Sequence, residues 1–175
     1  TLGIFTEITV RLYPLPEAVS AAICSFPSIE AAVHTVIQTI QMGIPIARVE
    51  LVDVHSVRMV NAYSKLELRE EPMLLMEFHG SPTGVKEQAE TVQEIAGEFG
   101  GNAFEWAERP EDRTRLFTAR HNAYFAAISS RPGCRCITTD TCVPISRLAD
   151  ALLECVQEAE ASAIPYFIVG HVGDG

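Results

Sequence analysis

The order of strand-like and helix-like segments in this chain predicts an α+β domain, ferredoxin-like, with a largely antiparallel sheet and helices packed on one face. Three observations carry that expectation. Short apolar runs of strand length recur between residues 18 and 107, and two intervening segments place their apolar residues at helical spacing and end on glycine. Their succession of strand, helix, strand, strand, helix, strand is the split βαβ order. No internal repeat or low-complexity segment interrupts it.

Residues 1–12 carry the β-formers Ile4, Phe5, Ile8, Val10 and Leu12 and read as a strand, stopped by Pro14 and Pro16. The stretch from Tyr13 to Glu17 reads as a hinge. Residues 18–26 form the next strand, and Ser28 after Pro27 is a good N-cap. The helix it opens aligns Ile29, Val33, Val36 and Ile40 and ends at Gly43. Residues 46–53 read as a strand, 55–64 as a short helix and 65–71 as a charged loop. In the strand at 73–79, Leu74, Met76 and Phe78 alternate with Leu75, Glu77 and His79. A helix from Thr83 buries Val85, Val92, Ile95 and Phe99 and closes at Gly100 and Gly101, before a strand at 103–107.

The second part adds a long helix from Pro110 to about Ser129, broken by Arg131, Pro132 and Gly133. A strand follows at 134–143, then a helix from Ser146 that aligns Leu148, Leu152, Val156 and Ala159. Residues 166–169 read as a buried terminal strand that delivers His171 into a turn containing Gly170, Gly173 and Gly175.

Composition narrows the function classes. With 175 residues the chain can bury a substantial core, and 47% hydrophobic against 21% charged residues is an ordinary globular balance. A net charge of −10 argues against nucleic acid, whose phosphates need clustered Lys and Arg. No apolar run approaches the roughly 20 residues of a membrane span, so no transmembrane segment is expected, and no signal peptide opens the chain. Five cysteines without regular spacing point to a reducing compartment. In a strand, Cys136 and Cys142 would stand about 20 Å apart at roughly 3.3 Å per residue, too far to share one ion. No glycine-rich nucleotide fingerprint, phosphate loop or serine nucleophile elbow is present.

Three positions carry candidate chemistry. Arg120 lies beside the stripe formed by Leu116, Phe117 and Tyr124; it either covers the core edge or binds an anion, and its planar fork suits a carboxylate. Thr138 and Asp140 share one face of the predicted strand, either as solvated side chains or as the lining of a polar pocket. His171 is either a satisfied core histidine or one ligand of a metal site that needs at least two more.

Several stretches together resemble the FAD-linked oxidases of the D-lactate dehydrogenase type, within the vanillyl-alcohol-oxidase flavoproteins. Thr1-Leu-Gly-Ile-Phe5 is similar to the end of that family's flavin-domain motif. Thr118-Ala-Arg-His-Asn-Ala123, Arg131-Pro-Gly-Cys134, Thr139-Asp140 and Cys142-Val-Pro-Ile-Ser146 resemble the core of its substrate domain. Gly170-His-Val-Gly-Asp-Gly175 matches the start of the family's metal motif, and the resemblance covers essentially the whole chain.

The resemblance implies that residues 1–16 are the end of the FAD-binding domain and a hinge, and that residues 17–175 are the substrate or cap domain, truncated at its C-terminal end. By the same resemblance, Arg120, Tyr124 and Thr138 contact substrate, Thr1, Leu2, Gly3 and Ile4 border the FAD, and His171 is the first ligand of a divalent metal, zinc or manganese. The implied activity of the parent is FAD-dependent oxidation of a D-2-hydroxy acid to a 2-oxo acid, with electrons passed to an acceptor. Threonine at 138, where D-2-hydroxyglutarate dehydrogenases carry lysine, favours D-lactate. The fragment alone is expected to be inactive and to hold neither FAD nor metal tightly. The implied location is the bacterial cytoplasm, with or without membrane association, and the alternative is mitochondrial. The competing functional reading is a ferredoxin-like small-molecule-binding module without catalysis.

Overall fold

The computed structural model describes residues 3–175. Strands β1 (Ala18–Ser25), β2 (Ile46–Val52), β3 (Met73–Gly80), β4 (Asn102–Ala107) and β5 (Val169–His171) form one sheet in the order β4-β1-β3-β2-β5. Every pairing is antiparallel. The first four strands thus give the expected antiparallel α+β sheet, and β5 extends it beyond β2. The helices are α1 (Ile29–Gln41), α2 (Val54–Ser64), α3 (Pro82–Glu98), α4 (Pro110–Ser130) and α5 (Leu148–Ser162), the last preceded by a short 3₁₀ turn, Ile145–Arg147.

Local chemistry fixes the helix ends. Ser28 Oγ accepts from Ala31 N at 3.1 Å, Asp53 Oδ1 from Ser56 N at 2.8 Å and Ser81 Oγ from Gly84 N at 3.1 Å, each satisfying an otherwise orphaned donor. Gly43, at φ 74, leaves α1 in the left-handed conformation that glycine adopts without steric cost. At the other end of α3, a β-carbon on Gly101 would meet Ala96 O at 2.7 Å and Cys24 Sγ at 2.9 Å, so only glycine lets this turn pass so close to β1.

The helices cover both faces of the sheet rather than one. Ala22 and Cys24 of β1 and Leu74, Met76 and Phe78 of β3 pack with Val33 and Val36 of α1 and Val85 and Val92 of α3; Leu148 and Ala149 of α5 join this layer. On the opposite face Ala21, Ile23, Met73 and Leu75 pack with Val57 of α2 and Leu116 and Phe117 of α4. Val60 then joins α2 to Ala119, Ala123 and Ala126 of α4. The reason is in β1 and β3 themselves: consecutive residues are buried in both, so each strand presents two apolar faces that need cover.

Three expected strands differ. Residues 3–16 form no strand, and 3–15 run exposed, with Ile4 94% and Leu15 93% accessible. β-forming composition cannot hold a strand without a partner, and the edges of this sheet are β4 and β5. Residues 134–143 likewise form no strand; the segment has hydroxyls on both would-be faces, and Ile137 is 80% exposed, so it lacks an apolar face to bury. The terminal strand is displaced along the chain and includes His171 itself.

Candidate functional site

Along β2, Arg48, Glu50 and Val52 share one face, and Val49 and Leu51 share the other. Val52 packs against the layer containing Leu116 and Phe117, so the Glu50 face is the one that α4 crosses. Glu50 is 2% exposed, an unusual place for a carboxylate without partners. Two elements supply them. The β2–β5 register sets Glu50 opposite His171, and His171 Nδ1 lies 3.0 Å from Glu50 Oε1. From α4, Arg120 Nε donates to Glu50 Oε2 at 2.7 Å. Residues from three elements therefore meet on one buried carboxylate.

Exposure is graded across the cluster. The Glu50 side chain is 3% accessible, Arg120 27% and His171 64%, so the carboxylate is the buried floor and the two basic side chains reach toward water. The turn after His171 is held against β2, where Val172 N donates to Val49 O at 3.1 Å and a β-carbon on Gly173 would lie 3.1 Å from Val49 Cγ1. A surface concavity of about 350 Å³ opens there, lined by Arg48, His171, Gly173 and Asp174 among others. Arg48 is held separately: its Nη2 donates to Glu77 Oε2 at 2.8 Å and its guanidinium lies 4.1 Å from the Phe117 ring centroid. A larger concavity of about 570 Å³, bounded by His55, Arg58, Arg131 and Tyr166, shares no residue with the Arg120 cluster.

Arg120 and His171, separated by some fifty residues of sequence, are thus brought together. Tyr124 stands one turn beyond Arg120 on α4, 48% exposed, in a T-shaped pair with Phe125 whose ring centroids are 5.9 Å apart. Thr138 lies on the exposed irregular segment, outside the cluster. Gly3 and Ile4 lie in the exposed stretch at 3–16, and Thr1 and Leu2 are outside the described residues. Among the described residues, no three His, Cys, Asp or Glu side chains gather to hold a metal.

Sequence reasoning missed Glu50. Its signal was available: an acidic residue in the middle of the apolar strand IARVELV must either flip to solvent or find a cation. Chemically, the cluster offers a guanidinium for an anion and an exposed imidazole that can exchange a proton or donate a lone pair.

Residues 15–175 match the family described as FAD linked oxidases, C-terminal domain. A probable mitochondrial D-lactate dehydrogenase of Danio rerio is 45% identical over 175 residues, which is 100% of this chain and 35% of that protein. A mitochondrial D-lactate dehydrogenase (cytochrome) of Arabidopsis thaliana is 38% identical over 175 residues, 100% of this chain and 31% of that protein. The chain spans about a third of the length of these curated relatives. Among solved structures, an alkyldihydroxyacetonephosphate synthase superposes with a TM-score of 0.60 at 15% identity, covering 87% of this chain and 33% of that one, a likeness of fold alone.

Proposed function

Since the chain belongs to the FAD-linked oxidase C-terminal domain family, we propose that it is the substrate-binding portion of an FAD-dependent dehydrogenase that oxidises a D-2-hydroxy acid, D-lactate, to its 2-oxo acid. The observation that carries this reading is the convergence of Arg120 and His171 on Glu50, because a substrate with a carboxylate beside a hydroxyl needs one group for each. Identity to two D-lactate dehydrogenases along the whole chain supports it over a non-catalytic binding module.

In this reading the Arg120 guanidinium takes the substrate carboxylate, and Tyr124 and Thr138 add contacts that orient the acid. When bound, FAD supplies the hydride acceptor and a divalent metal, zinc or manganese, supplies the charge that polarises the hydroxyl. His171 fits such a metal as one ligand: Glu50 Oε1 stands 3.0 Å from Nδ1, and Nε2 is the ring's other coordinating atom. Thr1, Leu2, Gly3 and Ile4 would border the flavin. Electrons pass on to an acceptor of the parent enzyme, and a mitochondrial location is favoured by the names of both relatives. Among the described residues, no helix is long and apolar enough to cross a membrane.

The test is a substrate panel on a flavoprotein that carries this chain, comparing D-lactate, glycolate and D-2-hydroxyglutarate by flavin reduction. D-lactate is expected to give the highest kcat/KM. Preference for D-2-hydroxyglutarate would overturn the substrate assignment, and reduction by none of the three would overturn the reaction. The 175-residue chain by itself is expected neither to turn over D-lactate nor to retain FAD.

A further inference from the structure

We propose that the concavity between α2, the C-terminal ends of α4 and α5 and the segment leading into β5 is a second binding site, which takes a small amphipathic monocarboxylate distinct from the substrate of the Arg120 site. At about 570 Å³ it is of small-molecule size, and D-lactate would leave most of it empty. It shares no residue with the Arg120 cluster, so it stands whether or not the parent oxidises a D-2-hydroxy acid.

Charge selects the head of the ligand. Arg58 and Arg131 line the concavity against one carboxylate, Glu160, in a chain whose net charge is −10. Arg58 already donates from Nε to Glu70 Oε2 at 2.9 Å. Arg131 enters no ion pair among the described residues. It also lines an adjoining hollow of about 110 Å³ to which Arg135 contributes. An unpaired guanidinium matches a carboxylate bidentately. Tyr166 adds a hydroxyl: burial, and then the charges of Glu160 and Asp53, raise its phenol above the ordinary value, so it stays protonated and can donate. Glu160 opposes a second negative charge on the ligand, which favours a monoanion.

Apolar surface selects the body. Met59, Ile164 and Pro165 line the same concavity with the Tyr166 ring, which forms a T-shaped pair with His55 at 4.8 Å between centroids. Ile164 is 69% exposed, and Ile128, which lines the adjoining hollow, is 39% exposed. Uncovered apolar surface therefore lies beside an unpaired guanidinium. An aliphatic chain covering that surface releases its water while the carboxylate stays against Arg131. A site for a bare anion would need no such lining, and a purely apolar patch would need no arginines.

Methionine-methyl ¹H–¹³C spectra of the 175-residue chain, and of the flavoprotein that carries it, test the site. Met59 lines the concavity, whereas Met42 caps α1 at 59% exposure and reports non-specific binding. Octanoate should shift the Met59 methyl saturably and leave Met42 unmoved. Acetate, which has only the head, and 1-octanol, which has only the body, should each bind at least about tenfold more weakly. Arg131→Gln should weaken octanoate about tenfold and leave 1-octanol unchanged. D-Lactate should not displace octanoate from the flavoprotein. An unmoved Met59, equal shifts of Met42 and Met59, 1-octanol or acetate binding as tightly as octanoate, or displacement by D-lactate would each overturn the proposal. So would full octanoate affinity in a folded R131Q. Binding to the 175-residue chain but not to the flavoprotein would overturn it too, since another part of the parent would then fill the concavity. Should R131Q not fold, the comparison of octanoate, acetate and 1-octanol decides alone.

Discussion

Replacing Arg120 by Ala should destabilise the fold through a residue that is not itself changed. Glu50 would keep its buried place with its carboxylate 3% accessible and would lose the 2.7 Å hydrogen bond from Nε, retaining only His171 Nδ1 at 3.0 Å. Breaking one side of a fully buried pair costs about 3–5 kcal/mol, whereas an exposed pair contributes about 0.2–1 kcal/mol. Here the anion is buried but the Arg120 side chain is 27% accessible, so water can enter part of the vacated space and solvate Glu50. The expected loss therefore falls somewhat below the buried limit, at about 2–4 kcal/mol. For a chain of this size that corresponds to a fall in Tm of roughly 4–16 °C. Urea unfolding of the 175-residue chain measures it directly. Adding Glu50→Leu removes the stranded charge, so the double variant should recover at least half of the loss. A cost for Arg120→Ala below about 1 kcal/mol would place Glu50 in effectively solvated surroundings and refute the reasoning. A double variant less stable than the sum of the single effects would refute it equally.

Two further outcomes test the frame that carries the site. Gly101→Ala should cost about 1–3 kcal/mol, because its β-carbon would press on Ala96 O at 2.7 Å and Cys24 Sγ at 2.9 Å; a change within about 0.5 kcal/mol by thermal unfolding would mean that the turn moves freely. Burial raises the Cys24 thiol from 9.0 to about 11, against a smaller opposing effect of the backbone at Asn102. The neutral thiol is thus the form the fold favours, so this group's contribution is full below pH 9.0 and is lost as pH rises toward about 11. Mass spectrometry after alkylation at pH 8 should find Cys24 unmodified while exposed Cys134, Cys142 and Cys155 react. Labelling of Cys24 at the rate of Cys142 would contradict its burial.

Much of the fold was legible because its causes are local. Ser28 and Gly43 marked the ends of α1 at the positions where capping and positive φ are found. The apolar spacing of Val85, Val92 and Ile95 identified the buried stripe of α3. Arg120 and His171 could also be singled out one at a time, the first by its place beside an apolar stripe and the second by the glycines around it. What could not be read was the buried Glu50 that both of them meet. The strand expected at 134–143 is an example on the side of the fold: that segment never enters the sheet, since a hydroxyl-rich stretch gains no apolar burial from pairing.

By itself, then, the sequence determined the antiparallel α+β succession and most helix boundaries, and it singled out Arg120 and His171 as candidates, because capping, periodicity and side-chain chemistry act within a few residues. The tertiary structure alone decided that helices cover both faces of the sheet, that β5 docks on β2, and that Arg120 and His171 are joined through Glu50. Those outcomes depend on strand register and on which apolar surfaces remain to be buried. A carboxylate's partners across 70 residues of chain are fixed only when the elements that bear them have packed.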